Sequence, residues 1–168
     1  MTSIIDTNVI LVANGQHNNV GPDCFAACAL RLQTIMSDHR IALDEGFEIL
    51  QEYQNKTRSM PSNRTGDAFV KWALRNRVNP RKCDLVALKP HSGRVYDSFP
   101  EDARLENFDP PDRKFVAVSA AHPEHPTILQ AADSKWIDWE PALKGHDISV
   151  EFLCPADIQR FHDNKFGK

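Results

Sequence analysis

Short apolar segments that read as strands alternate with longer segments of helical periodicity, and this alternation constrains the chain more than any other feature. A helix after each strand carries the chain back to the edge where the strand began. Successive strands therefore run parallel, and helices cover the sheet. Residues 3–11 (SIIDTNVIL) open the pattern as an expected buried strand, apolar and β-branched, that runs into polar residues at its end. A polar loop over 15–21 precedes an expected helix at 22–37. Pro22 and Asp23 suit its first turn, and Phe25, Cys28, Ala29, Leu32, Ile35 and Met36 keep helical spacing. Residues 40–43 predict a second strand. Asp44 suits the cap of a second helix at 45–56, whose apolar stripe is Phe47, Leu50 and Tyr53.

The pattern continues with a turn-rich connector at 57–65 containing Pro61, a helix at 67–76 and a strand at 85–88. Residues 89–111 carry Pro90, Gly93, Pro100, Pro110 and Pro111, which predict an ordered connection with one helical turn near 103–106. Asp112 stands where a helix should start, and 114–121 continue it. A strand at 127–130, a helix at 135–143 interrupted by Pro141, a last strand at 149–153 and a terminal helix at 156–161 complete the chain. The expected fold is a three-layer α/β/α domain around a central, mostly parallel sheet. Its 168 residues form a single domain, 1–168, large enough to bury a real core.

Apolar residues make up 41% and charged residues 26%, a composition that excludes a disordered chain. The apolar runs fall far short of the ~20 residues a bilayer span needs, so no membrane partner is expected. No basic and apolar leader is recognisable, and Cys24, Cys28, Cys83 and Cys154 are too few and too scattered for a disulfide scaffold. A cytoplasmic location follows as an expectation. Cys24 and Cys28 lack a second pair of zinc ligands and are expected in the core; His122 and His125 read as loop surface. The net charge of −3 hides a split: residues 56–82 carry +7 from eight bases and one acid, leaving −10 elsewhere. Within that segment Lys71, Arg75 and Lys82 are candidates to track a phosphate backbone. Trp72, which could stack on a base, is expected instead in the core.

Ligand sites in open α/β sheets lie at the carboxyl ends of the strands. Asp6 follows the first strand, Asp133 follows a later one, Asp112 opens a helix, and Glu52 shares a helix face with Glu48 and Glu45. Carboxylates gathered at one edge repel unless a cation lies among them, and an all-oxygen set selects Mg²⁺ or Mn²⁺ over zinc.

These segments resemble a known family. Ile4-Ile5-Asp6-Thr7-Asn8-Val9 is similar to the opening motif of PIN-domain nucleases, and Ile49-Leu50-Gln51-Glu52-Tyr53 to the helix carrying their second acid. The run Phe108-Asp109-Pro110-Pro111-Asp112-Arg113-Lys114-Phe115-Val116-Ala117-Val118 resembles the third-acid segment, and Ile128-Leu129-Gln130-Ala131-Ala132-Asp133-Ser134 the fourth. The closing stretch 148–155 fits the family's last strand. The resemblance implies a metal-dependent endoribonuclease with Asp6, Glu52, Asp112 and Asp133 as catalytic, metal-holding acids. Mg²⁺ or Mn²⁺ would be the cofactor and RNA the substrate. Asn8 and Ser134 would assist through hydrogen bonds. An antitoxin protein or a second copy of the chain would be the partner, as in toxin–antitoxin pairs. The stretch 57–108 is longer than in compact members, so it is expected to be a basic insertion after the second helix. Ala131 and Lys135 stand where the family often has Thr or Asn and a further Asp, which leaves Asp138 as an alternative to Asp133; Glu48, on the same helix face, is an alternative to Glu52. A haloacid-dehalogenase-like phosphatase would need a second Asp where Asn8 stands. The non-enzymatic alternative is a decayed PIN-like module that binds RNA or protein.

Overall fold

A computed structural model describes residues 1–57 and 63–165. The middle of the expected connector, including Arg58 and Pro61, lies outside the described residues. The five-stranded sheet is made of Thr2–Ile5 (β1), Arg40–Asp44 (β2), Cys83–Val86 (β3), Thr127–Gln130 (β6) and Val150–Phe152 (β7). Its order is β3-β2-β1-β6-β7, and every pairing is parallel. Pro90–His91 (β4) and Val95–Tyr96 (β5) form a separate antiparallel hairpin that sequence patterning did not anticipate. The central strands are apolar almost throughout, as strands covered on both faces must be: Ile4, Ile5, Ile41, Ala42, Leu43, Ile128 and Leu129 are all buried.

The helices are Thr7–Ala13 (α1), Pro22–Asp38 (α2), Glu48–Thr57 (α3), Thr65–Asn76 (α4), Arg113–Ala121 (α5), Lys135–Lys144 (α6) and Pro155–Lys165 (α7). The chain moves outward from β1 to β2 to β3, then crosses back to β6 and β7. Right-handed crossovers place the helices of the two halves on opposite faces. Accordingly α1 packs against α2, α3 and α4, whereas α5 lies over β1, β2 and β6. This is the expected three-layer α/β/α arrangement. None of the described helices is long and apolar enough to cross a membrane.

The expected strand over 3–11 stops at Ile5, and α1 takes its second half. Asp6 causes the change. Its carboxylate accepts the Asn8 N–H at 2.9 Å and caps the helix, and Val9, Ile10, Val12 and Ala13 are then buried around α1. A run that is apolar in every position is buried equally well as strand or helix, so periodicity could not separate them. Asp44 caps the next helix as expected, accepting the N–H groups of Glu48 and Ile49 at 2.8 Å each, which starts α3 at Glu48 rather than at 45.

The basic stretch is less an insertion than a layer component. Phe69, Val70 and Ala73 of α4 are buried, and Trp72 packs half-buried against Phe69 with ring centroids 5.8 Å apart. At its start α4 crosses α1 so closely that a Cβ on Gly66 would lie 2.4 Å from both the Ile10 carbonyl oxygen and Asn14 Oδ1.

Two cysteine and histidine expectations change. Cys24 on α2 and Cys154, just before α7, are joined by a disulfide across 130 residues of sequence, with the Cys28 thiol 3.8 Å from the Cys154 sulfur. Neighbouring helix starts bring together residues whose sequence distance concealed the pairing. His122 is buried rather than at the surface, because its Nε2 meets Asp84 Oδ2 at 2.9 Å.

Two stability predictions follow from this packing. Gly66→Ala forces the α1–α4 crossing apart and lowers the unfolding free energy by about 1–3 kcal/mol in urea titrations. Reduction of the Cys24–Cys154 bond lowers stability by about 2–4 kcal/mol, readable as a drop in thermal midpoint with added reductant. An unchanged midpoint in either experiment contradicts the packing described.

Candidate metal centre

Because the strand order reverses at β1, the carboxyl ends of β1 and β6 border a crevice, the position at which open α/β sheets bind ligands. Asp6 leaves β1 into this crevice and Asp133 follows β6. Asn8 ties the two exits together: its Oδ1 accepts the Ala132 N–H at 2.6 Å, while its own N–H caps on Asp6. Asn8 therefore positions the site, and its carbonyl is not free for a substrate. Gln130 adds to the same loop, its Oε1 accepting the Ala131 N–H at 2.9 Å.

The third acid arrives with an unforeseen companion. Pro110–Asp112 forms a 3-10 turn. With about three residues per turn, positions three apart share a face. Asp109 and Asp112 are so spaced, and one carboxylate oxygen from each lies within 4.8 Å of the other and of an Asp133 oxygen. The signal for Asp109 was present in the sequence as two acids separated by a helix-initiating Pro-Pro.

Glu52 reaches the cluster from α3. Tyr53, the next residue, donates its hydroxyl hydrogen to the Ile5 carbonyl oxygen and so docks this part of α3 at the end of β1. Glu52 Oε2 accepts from the Thr7 hydroxyl, and Oε1 meets Lys114 Nζ at 2.6 Å. Lys114 is nearly buried, with 10% of its side chain exposed, and it also donates to the Pro111 carbonyl oxygen. No feature of the sequence marked it as a partner of Glu52. Lys135 supplies a second cation, with its Nζ 2.8 Å from Asp109 Oδ2 and its N–H 3.2 Å from Asp133 Oδ1.

Asp6, Glu52, Asp112 and Asp133 thus come together, joined by Asp109. The alternatives lie elsewhere: Glu48 accepts a hydrogen bond from Tyr96 at 2.9 Å, and Asp138 pairs with His162 at 3.0 Å. Among the described residues, Lys71, Arg75 and Lys82 pair with none of these carboxylates. Lys82 immediately precedes β3, at the amino edge of the parallel sheet and so opposite the crevice, and Lys71 and Arg75 are exposed on α4.

The electrostatics match a crowded anionic site. Burial first, then the Asp112 charge, pushes the Asp6 carboxyl well above its usual range, against the opposing pull of the Asn8 N–H. Asp112 is pushed up to about 6 by burial, with Asp133, Glu52 and Asp109 adding repulsion. Burial also raises Asp133, partly offset by Lys135. An oxygen-only donor set of this density fits a hard divalent cation, Mg²⁺ or Mn²⁺, and three aspartate oxygens within one ion's reach are the observation that supports the fit.

An acid whose folded pKa is raised binds more protons when folded than when unfolded, so its contribution to stability falls as pH rises between the two values. For Asp112 that window runs from 3.8 to about 6. In chelator, Asp112→Asn is therefore expected to raise the thermal midpoint at pH 7 by roughly 2–4 °C, equivalent to about 1 kcal/mol in a domain of this size, and to change it little at pH 4. A variant less stable than wild type at pH 7 in chelator would show that Asp112 is not under repulsion.

No family model, curated protein or solved structure matches this chain, so the chemistry of the site rests on its own residues.

Proposed function

We propose that this protein is a metal-dependent endoribonuclease that hydrolyses phosphodiester bonds of RNA. The observation that carries the reading is the convergence of five carboxylates at the reversal point of a parallel sheet, three of them with oxygens within 4.8 Å of one another. The four segments resembling PIN-domain nucleases carry all five, four of them at the positions of the family's acids and Asp109 beside the third, and that resemblance is the basis for RNA as substrate.

Asp109, Asp112 and Asp133 would hold the ion, with Asp6 buried behind them. A bound divalent cation supplies Lewis acidity toward a phosphodiester. The chain's own groups do the rest. Lys114 holds a fixed positive charge against Glu52, so that part of the site is neutralised without an ion. Thr7 orients the other Glu52 oxygen. Lys135 stands at the rim, where a cation draws a polyanion toward the acids. These two lysines also motivate a second reading, a module that binds RNA without cutting it. Glu52 and Asp109 are satisfied by protein cations, and such pairing is what a site no longer needing metal would retain.

Incubation of mixed single-stranded RNA with Mn²⁺ or Mg²⁺, with and without chelator, separates the two. Cleavage is expected for wild type, abolished by chelator and reduced at least about 100-fold in Asp112→Asn, in line with the loss of a key electrostatic group. In parallel, Mn²⁺ at a hundred times its dissociation constant should stabilise wild type by ~2.7 kcal/mol and leave Asp112→Asn nearly unmoved. No cleavage together with no Mn²⁺-dependent stabilisation refutes the nuclease and favours the binding module.

A further inference from the structure

Beside the carboxylates, on the Asp133 side, lies a cavity of about 390 Å³ lined by His17, Asn19, Ser134, Phe161, Asn164 and Lys165 together with Ala132 and Asp133. Three distant segments build it: the loop after α1, the loop after β6 and the last turns of α7. Their meeting is fixed by Gly21 N–H donating to Asp157 Oδ2 at 2.8 Å and by Arg160 donating to the Asn19 carbonyl oxygen at 2.9 Å.

The chemistry of the lining is specific. His17 and Phe161 are stacked, with centroids 5.8 Å apart and planes at 28°, and form an aromatic wall. The side-chain amides of Asn19 and Asn164 make no hydrogen bond within the described residues, so each offers a donor pair and an acceptor to a ligand edge. The Lys165 ammonium is likewise uncommitted and feels the Asp133 charge. A planar aromatic surface, amides able to read a heteroatom edge and a cation for phosphate are together what a nucleotide requires. Asp133 belongs to both the lining and the carboxylate cluster, which sets the direction: a nucleotide here would turn its phosphate toward the proposed metal.

We propose that this cavity is a base-binding subsite that receives the nucleobase adjoining the scissile phosphate, and so makes single-stranded RNA the substrate. The assignment rests on the nuclease reading for its scissile phosphate, but the cavity's ligand class is independent of it. A base held here has its pairing edge turned to Asn19 or Asn164, which a base paired in a duplex cannot offer.

Nucleotide binding and cleavage test the two parts separately. The four nucleoside 5′-monophosphates are titrated into the protein in chelator and followed through the amide resonances of Ala132, Asp133 and Ser134. At least one is expected to bind, and Asn164→Ala, an exposed substitution that spares the fold, to weaken it fivefold or more. Phe161→Ala should weaken all four. In Mn²⁺, Asn164→Ala should also flatten the base preference beside the cut in single-stranded RNA, and duplex RNA should be cut poorly by wild type. Equal nucleotide binding by wild type and Asn164→Ala, with the same base preference, overturns the subsite whether or not the protein cuts RNA. Nucleotide binding that Asn164→Ala abolishes, in a wild type that cuts nothing, supports the cavity's ligand class and refutes the nuclease.

Discussion

The parallel pairing of β1 with β2 on one side and β6 on the other governs what this molecule can do. Since the chain leaves β1 in one direction and returns to β6 from the other, helices cannot cover the carboxyl ends of both strands, and a crevice opens between them. Two acids at these exits meet because the strands lie side by side. The capping role of Asp6 makes the placement rigid: the carboxylate that ends the strand also starts α1.

Gathering five acids in a partly buried place is costly, and the structure shows three different compensations. Backbone and side-chain donors take part of the charge, as at Asp6 and Glu52. Two lysines take more, one of them nearly buried and held by Glu52 and a backbone carbonyl. The remainder appears as raised proton affinity at Asp6, Asp112 and Asp133, where burial disfavours the charged carboxylates first and repulsion between neighbouring acids adds to it. The proposed ion would take the place of those protons. Lys114 neutralises Glu52 and Lys135 pairs with Asp109, which leaves Asp112 and Asp133 without a direct lysine ion pair, and Asp133 is the one that lines the neighbouring cavity.

Topology separates the acids from Lys82, at the far end of the basic segment. Residue counts suggested that residues 56–82 would carry a polyanion across the site. Instead α4 spends its apolar face on α1, α2 and α3, and Lys82 sits at the far edge of the sheet. The cations paired with the carboxylates, Lys114 and Lys135, come from α5 and α6, and of the basic segment Lys56 lines a groove with Glu52. Local charge density in a sequence measures composition, whereas attraction at a site depends on a few ångströms of placement.

Alternating strand and helix patterns were enough to establish a parallel three-layer fold, because burial on both sheet faces demands continuous apolar strands, as at 40–43 and 127–130. The same reasoning put Asp6, Asp112 and Asp133 at element ends, and the Asp44 cap was legible from one residue type before a helix. The sequence could not decide whether 9–13 was strand or helix, since an unbroken apolar run fits both. Nor could it show that Asp109 and Asp112, though suitably spaced, share one ion's reach with Asp133, that Lys114 meets Glu52, or that Cys24 bonds Cys154. Each of these depends on contacts between residues far apart in the chain or on the phase of a single turn. Local preference acts over a few residues, and only the packing of helices on the sheet sets which side chains meet.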